Sequence, residues 1–342
     1  MEIVGSAREA GEITTAQQML TRVLSERMTP EQRQVASGNV WELSKIKWQF
    51  DFELNPKPVN YPENFIQQRG YYEFFSRPST PYQTTEVTVL GNMSRKEEVT
   101  DSANNRIVRI YPQYWSIPVK VRMVVTKTPV ALKLATEDVP ADKLPADIRP
   151  YLGKSNQIDP TGPIAQSIAQ KLRGKNRAET IENIREWVMR EVKYQNPVLP
   201  GEANKRDSET VLSRKRGYCW EIGRAMTAVL RAAGIPARRM FMINVYPERG
   251  DDIDFSSALP AWCHVMAEFW DPKAGWSPCQ NRPSSVVAMR YIPLASEMMV
   301  EQNPDGTVER VANETFYGNH ESPTKKAVCN SVSLKVLSAF LR

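Results

Sequence analysis

The 342-residue sequence has few of the side chains that most metal and redox sites use. It has two histidines, His264 and His320. Its four cysteines are Cys219, Cys263, Cys279 and Cys329. No two of them have the C-x-x-C spacing of a zinc ribbon, and four are too few for a dense disulfide framework. We therefore predict no metal site and no cofactor.

Long apolar runs and an excess of one charge are also missing. No stretch approaches the ~18 consecutive apolar residues of a membrane-spanning helix, so no integral membrane segment is predicted. The first residues lack the cationic-then-apolar pattern of a signal peptide. The 45 Lys and Arg exceed the 39 Asp and Glu by a margin of +6, and these charges are interspersed. A nucleic-acid surface needs a denser basic stripe, so no nucleic-acid partner is predicted.

Changes in residue pattern divide the chain into five segments. With 41% hydrophobic residues, the chain can bury a sizeable core. Residues 1–36 read as helical, and 37–138 alternate apolar and polar residues as in a β-sandwich-like domain. Five prolines in 139–163 indicate a linker. A mixed segment over 164–317 and a polar C-terminal tail over 318–342 follow. The predicted fold class is α+β.

A cysteine begins the most regular helical pattern of the sequence, in RGYCWEIGRAMTAVLRAAGIPAR. Cys219 lies at the predicted helix start, and Gly234 follows its end. Free N–H groups and the helix dipole at such a position favour a thiolate, which is the nucleophilic form. The alternative is that Cys219 is a buried cysteine acting as a small hydrophobic residue.

A histidine lies in a later strand pattern, WCHVMAEFW. Alternation places His264, Met266 and Glu268 on one face of that strand. Nucleophilic cysteine catalysis needs an imidazole and a third group that orients it. The next strand is predicted to bring Gln280 roughly opposite His264, and Asn281 is the other candidate amide. Glu268 is open between a solvent-side residue and a polar partner of the site, and Asp271 is predicted to be solvated in a turn.

These two stretches, GYCWEIGRAMTAVLRAAGIPAR and WCHVMAEFWDPKAGWSP, together resemble the core of the transglutaminase-like superfamily, which is related in architecture to papain-type cysteine proteases. The shared features are the G-x-C helix start, the G-I-P-A-R helix end, the H-x-x-x-E strand and the G-W strand. The upstream stretches IREWVMREVKY and SETVLSRKRGYC fit as well, so the resemblance covers about residues 160–285. It implies a papain-like core with Cys219 as nucleophile and His264 as general base.

The resemblance also implies acyl-enzyme chemistry on an amide of a protein or peptide substrate, ending in hydrolysis or in transfer to an amine. The family usually has an aspartate at the position of Gln280. An amide can orient the imidazole through its oxygen but stabilises its positive charge less. The predicted activity is that of a cysteine peptidase or amidase, or of an acyltransferase. Hydrolysis is favoured over crosslinking, because water is the default acceptor of an acyl-enzyme and transfer requires an amine site that excludes water. The alternative is an inactive transglutaminase-like scaffold or binding protein. Exported bacterial relatives of this kind favour an extracytoplasmic location.

Three aromatic residues are further candidates for the site. Tyr194 occupies a position where the family often has an aromatic residue, and it is a candidate for the oxyanion or substrate site. Trp220 and Trp262 are candidates for the walls of a substrate channel, with core packing as the alternative. A disulfide between Cys263 and Cys279 is geometrically unfavoured.

Overall fold

The computed structural model describes residues 43–54, 71–101, 103–128, 133–155, 157–195, 207–244, 252–253, 263–279, 291–296 and 329–341. The predicted helical segment 1–36 lies outside these residues. The described chain mixes helices and strands, as the predicted α+β class requires. The boundaries of the predicted domains stay predictions.

The alternating runs of the first half form strands. They are β1 (Leu43–Leu54), β2 (Tyr72–Ser76), β3 (Gln83–Leu90), β4 (Arg95–Thr100), β5 (Arg106–Tyr111) and β6 (Val119–Lys127). β1, β6 and β3 are neighbours in one antiparallel sheet, and β2, β5 and β4 form another. The two sheets contact each other through apolar faces, where the Phe52 and Phe74 rings meet edge to face at 5.1 Å. We call this pair of sheets the N-terminal unit.

The end of the chain differs from the predicted tail over 318–342. Strand β14 (Cys329–Leu341) pairs antiparallel with β1 over the whole of β1. The short strand β10 (Asp252–Ile253) pairs with β14, so the sheet has the order β10-β14-β1-β6-β3. The partner of β14 is among the first described residues, and a reading of local pattern alone does not connect them.

The second half of the described chain contains helices, two of which begin at a capping side chain. These helices are α1 (Pro163–Lys171), α2 (Arg177–Glu191), α3 (Ser208–Arg214) and α4 (Cys219–Ala232). The Asn176 side chain accepts a hydrogen bond from the Glu179 N–H at 3.0 Å, as expected from the capping pattern Asn-Arg-Ala-Glu that begins at Asn176 in the sequence. Gly234 follows α4 with φ +81, as a residue beyond a helix end often does. None of the helices within the described ranges combines the length and the apolar content needed to span a bilayer.

A further sheet, which we call the second sheet because it belongs to the second half of the chain, lies against α4. Its strands are β9 (Ala237–Asn244), β11 (Cys263–Asp271), β12 (Gly275–Pro278) and β13 (Tyr291–Ser296), in the order β12-β11-β9-β13. All its pairs are antiparallel. Helix α4 approaches closely at Gly223, where an added Cβ would lie 3.3 Å from Val265 Cγ1. This close contact fixes the catalytic-candidate helix against β11.

The proline-rich segment 139–163 packs on the second sheet. It contains two 3₁₀ turns, Ala141–Lys143 and Arg149–Leu152. The Tyr151 side chain is buried, and its ring meets the Trp276 ring edge to face at 4.9 Å. The segment predicted as a linker is therefore part of the packed structure, because Leu144, Ile148, Tyr151 and Ile158 are buried.

A lysine is fully buried at the end of β6. The Lys127 side chain has 0% exposure, and its Nζ lies 5.0 Å from the centre of the Tyr82 ring. Burial, together with repulsion from Arg77, lowers the pKa of Lys127 to about 7. The folded protein therefore binds this proton less tightly than the unfolded chain, in which the lysine has its ordinary pKa of 10.5.

Replacing Lys127 by methionine is expected to raise the free energy of unfolding at pH 7 by on the order of 2 kcal/mol. Between pH 7 and 10.5 the folded wild-type protein has lost the Lys127 proton while the unfolded chain still holds it, so the stability of the wild type should rise. The stability difference between Lys127→Met and the wild type should therefore shrink over that range. Urea unfolding at several pH values measures this difference. Lys120→Met, at an exposed position of the same strand, is the control and should show no such trend. A gain for Lys127→Met that does not change with pH would contradict the prediction.

Candidate active site

Cys219 is the first residue of α4 and follows a short parallel strand pair. Strand β7 (Lys193–Tyr194) pairs with β8 (Arg216–Gly217), two residues before the cysteine. The Glu221 carboxylate accepts a hydrogen bond from the Tyr218 N–H at 3.1 Å, which closes the first turn of the helix. A Cβ on Gly217 would lie 2.8 Å from this carboxylate, so the turn requires glycine. The local sequence thus fixes where the sulfur lies.

One edge of β11 is only partly covered by β12. The register pairs Glu268 with Pro278, and the Cys279 N–H then donates to the Ala267 carbonyl at 2.9 Å. Backbone groups of alternate residues in a strand point to the same edge of a sheet. The Val265 N–H therefore points to this edge of β11, beyond the last residue of β12.

The Cys219 sulfur lies at that edge. The backbone N–H groups of Val265 and Trp220 face the sulfur and act to lower the pKa of the thiol, and the Cys219 side chain is 7% exposed. Val265 directly follows His264 in β11. The fold therefore brings the thiol of Cys219 to the residue next to His264.

His264 is half-buried on the other face of the sheet from Val265. The Val265 side chain contacts α4, and alternation turns His264, Met266 and Glu268 to the opposite face. His264 pairs in register with Met242 of β9. Met242, Met266 and Met240 form a small buried cluster on this face. This arrangement of β11 follows the predicted alternation.

Burial dominates the ionisation of the cysteine. It raises the pKa of Cys219 to about 11, although the N–H groups of Val265, Trp220 and Cys219 act in the opposite direction. The negative charge of Glu221 adds a further small increase. The N–H groups of the helix start thus act in the predicted direction, towards the thiolate, but burial outweighs them. The thiol is the stable form at neutral pH.

Residues 165–280 match the family model described as the transglutaminase-like superfamily. The chain carries a transglutaminase-like domain. A curated relative, an uncharacterized protein of Haemophilus influenzae, is 31% identical over 192 residues, which cover 52% of this chain and 48% of that protein. The chain thus spans about half the length of the curated relative that it matches.

Two solved structures have a backbone similar to that of this chain. One, named "putative cysteine protease", is from Cytophaga hutchinsonii. It is 16% identical, covers 86% of this chain and 91% of that chain, and has a TM-score of 0.49. The other is the periplasmic domain of TgpA from Pseudomonas aeruginosa bound to ethylmercury, 15% identical over 70% of this chain and 90% of that chain, with a TM-score of 0.36. Neither TM-score reaches 0.5, so the family assignment rests on the match of residues 165–280.

Several predicted residues of the transglutaminase-like domain lie outside the described residues. Gln280, Asn281 and Trp262 are among them, so the orienting amide stays a prediction. Cys279, the last residue described after β12, is a free, fully buried thiol. Burial raises the pKa of Cys279 to about 12. Cys279 is a second thiol of the domain. The Cys279 N–H bonds to Ala267, and His264 lies on the other face of β11 from the Ala267 side chain.

The two described aromatic candidates have different surroundings. Tyr194 is 56% exposed in β7 and pairs with Gly217, two residues before Cys219. Trp220 packs on β9, with its ring 5.2 Å from the Phe241 ring and 5.4 Å from the Arg239 guanidinium. Tyr194 is thus available on the surface beside the candidate nucleophile, whereas Trp220 contacts the face of the sheet that α4 covers.

Asp271 was predicted to be solvated, and this prediction is wrong. Its carboxylate has 0% exposure. It accepts hydrogen bonds from the N–H groups of Ala135 at 3.0 Å, Lys273 at 2.9 Å and Ala274 at 3.0 Å. The contact with Ala135, 136 residues away in the sequence, helps to bury the group, and no local pattern indicates it.

Glu268 is the residue that sequence reasoning left open. It is fully buried between two arginines that come from separate parts of the chain. The H-x-x-x-E spacing was the available signal, but it does not identify the arginines. Within the described ranges, no group of three or more His, Cys, Asp or Glu side chains has a geometry that could hold a metal ion.

Proposed function

We propose that the transglutaminase-like domain is a cysteine peptidase or amidase with Cys219 as nucleophile and His264 as general base. The observation that carries the proposal is the packing of α4 on β11 at Val265, which places the Cys219 thiol beside the strand that contains His264. A buried thiol with a raised pKa needs a base that removes its proton when the substrate is bound. His264 adjoins the residue that contacts the sulfur.

The proposed reaction has two stages. The Cys219 sulfur attacks an amide carbonyl carbon while its proton passes to the His264 imidazole, and the imidazolium then protonates the leaving amine. The C–N bond breaks, and a thioester remains on Cys219. Water attacks the thioester, His264 takes the proton, and a carboxylic acid and the free thiol are released. Gln280 is proposed to orient the imidazole, and Tyr194 to contact the substrate beside Gly217.

Hydrolysis is favoured over transfer to an amine. Water is the default acceptor of an acyl-enzyme, and transfer requires an amine site that excludes water. A protein or peptide is the proposed substrate, and an extracytoplasmic location belongs to the same proposal. Incubating peptide amides with a primary amine and measuring product masses distinguishes the acid of hydrolysis from the amine adduct.

One observation favours a second function, binding without catalysis. Burial keeps Cys219 as a thiol with a pKa of about 11, as expected of a cysteine with a structural role. A transglutaminase-like scaffold would need no base within reach of this thiol. The two functions therefore differ in whether the reactivity of Cys219 depends on His264.

The pH dependence of iodoacetamide alkylation at Cys219, followed by mass spectrometry, tests the proposal. In the catalytic case we expect alkylation below pH 8, and a loss of about 10²-fold in His264→Ala because the base is removed. His320→Ala should match the wild type. Cys279, buried with a pKa of about 12, is the internal reference and should remain slow.

The opposite result has a clear form. If the Cys219 rate rises only above pH ~8.5 and is unchanged in His264→Ala, the thiol is an ordinary one. The catalytic proposal would then be wrong, and the scaffold function would be the better account.

A further inference from the structure

The Glu268 carboxylate connects β11, the strand that contains His264, to residues from other parts of the chain. Glu268 Oε2 accepts a hydrogen bond from Arg77 Nη2 at 2.7 Å, and Oε1 accepts one from Arg238 Nε at 2.6 Å. The Ser296 hydroxyl also donates to Oε1. All four side chains are buried. Strands β9, β11 and β13 therefore meet at one charged group.

Arg77 is the member of this cluster that comes from the N-terminal unit. It directly follows β2, and its side chain is 5% exposed. Its other terminal nitrogen, Nη1, lies 2.7 Å from the Met240 sulfur and 3.5 Å from the Ser296 hydroxyl. The guanidinium thus spans all three strands that meet at Glu268, and it does so from outside the second sheet.

The N-terminal unit also contacts the sheet at the level of His264. The Gln83 side chain of β3 donates from Nε2 to the Pro293 carbonyl at 2.9 Å. Pro293 pairs with Met242, and Met242 pairs with His264, so these residues lie in one row across the sheet. The unit therefore supports the sheet at two levels, the rows of Glu268 and of His264.

A third set of bonds covers the edge strand β13. The Asn105 side chain donates from Nδ2 to the Ser296 carbonyl at 2.7 Å and accepts from the Ser296 N–H at 2.6 Å. These bonds occupy the backbone groups that a further strand would use. The interface between the N-terminal unit and the second sheet is thus built from specific polar bonds, which fix position more narrowly than apolar contact does.

We infer that Arg77 is a positioning residue, which acts through Glu268 to hold strand β11 and so His264 in place. The inference rests on the proposed function of His264. Glu268 lies four residues along β11 from His264 on the same face, a distance of about 13 Å along a strand, so Arg77 acts by fixing the strand. The N-terminal unit is in this sense part of the active site, although it supplies no reacting group.

The experiment compares Arg77→Met with Arg106→Met in the full chain. Arg106 also belongs to the N-terminal unit, and its ion pair with Glu98 is partly exposed. We expect Arg77→Met to slow the His264-dependent alkylation of Cys219 by about 10-fold to 100-fold, because small displacements of catalytic groups have effects of this size. Arg106→Met should leave the rate–pH profile unchanged.

A second readout does not depend on catalysis. The chain has only two histidines, so its imidazole C–H resonances in NMR can be assigned with His320→Asn. We expect the His264 resonance and its titration midpoint to move in Arg77→Met and to stay at the wild-type values in Arg106→Met. If wild-type alkylation proves indifferent to His264, the proposed function fails, and this resonance still tests the position of His264.

A folded Arg77→Met protein with the wild-type profile and an unmoved His264 resonance would overturn the inference. If Arg77→Met does not fold, Arg77→Lys decides, because it keeps the charge but cannot reach Glu268, Met240 and Ser296 together. A moved resonance in Arg77→Lys supports the inference. An unmoved resonance, with only a lower melting temperature, shows a purely structural role and overturns it.

Discussion

Replacing Glu268 by alanine is expected to lower the free energy of unfolding by about 3–5 kcal/mol, the cost typical of breaking a buried ion pair on one side. The change leaves Arg77 and Arg238 buried with no carboxylate between them. Urea unfolding at pH 7 measures the loss. The intact cluster also changes the pKa of Glu268. Burial raises this pKa, but the two arginines outweigh burial and hold it below its ordinary value of 4.5.

That direction sets the pH dependence. A carboxyl group with a lowered pKa stabilises the folded state above the unfolded-state value of 4.5, and this contribution is lost as the pH falls. The difference between wild type and Glu268→Ala should therefore narrow below pH 4.5. Glu98→Ala is the matched control, since Glu98 is 44% exposed in its pair with Arg106 and should cost at most about 1 kcal/mol. Equal losses for the two variants would show that the buried cluster adds nothing.

Replacing Arg214 by methionine is expected to affect both stability and the nucleophile. Arg214 Nη2 lies 2.7 Å from the Glu221 carboxylate, which is fully buried two residues after Cys219. The negative charge of Glu221 already raises the pKa of Cys219. Without Arg214 this charge is less compensated, so it acts more strongly on the thiol. We expect a loss of about 3–5 kcal/mol of stability, and slower alkylation of Cys219 at every pH below 9.

Arg190→Met provides the comparison for Arg214→Met. Arg190 belongs to an exposed ion pair with Glu191, with 3.0 Å between Nε and Oε1. This variant should keep the wild-type stability within about 1 kcal/mol and the wild-type alkylation profile. If Arg214→Met loses stability but its Cys219 profile coincides with that of Arg190→Met, the pair serves the fold alone.

Signals within a few residues of one another made much of this fold predictable. The start of α2 at Asn176 and the end of α4 before Gly234 are set by neighbouring residues, and the structure has both. The alternation around His264 likewise gives the face on which it lies. Such features depend on backbone groups that the local sequence satisfies, so a reading of the sequence finds them.

Features that depend on distant contacts were not predictable. Arg77 and Glu268 are 191 residues apart, and no local pattern in the sequence pairs them. The pKa of Cys219 depends on its burial against Val265, which no helix-start pattern gives. The prediction for Gln280 concerns a residue outside the described part of the chain and stays a prediction.

The pairing of β14 with β1 has a consequence for how the protein is made. Leu43 pairs with Leu341, so a ribosome delivers β1 long before its neighbour on that side. Translation proceeds at about 5–20 residues per second, so one edge of β1 stays unpaired for many seconds in each nascent chain. The unpaired N–H and C=O groups of a strand edge can form hydrogen bonds with strands of other chains. Products that stop before Cys329 should therefore aggregate more readily than the full chain.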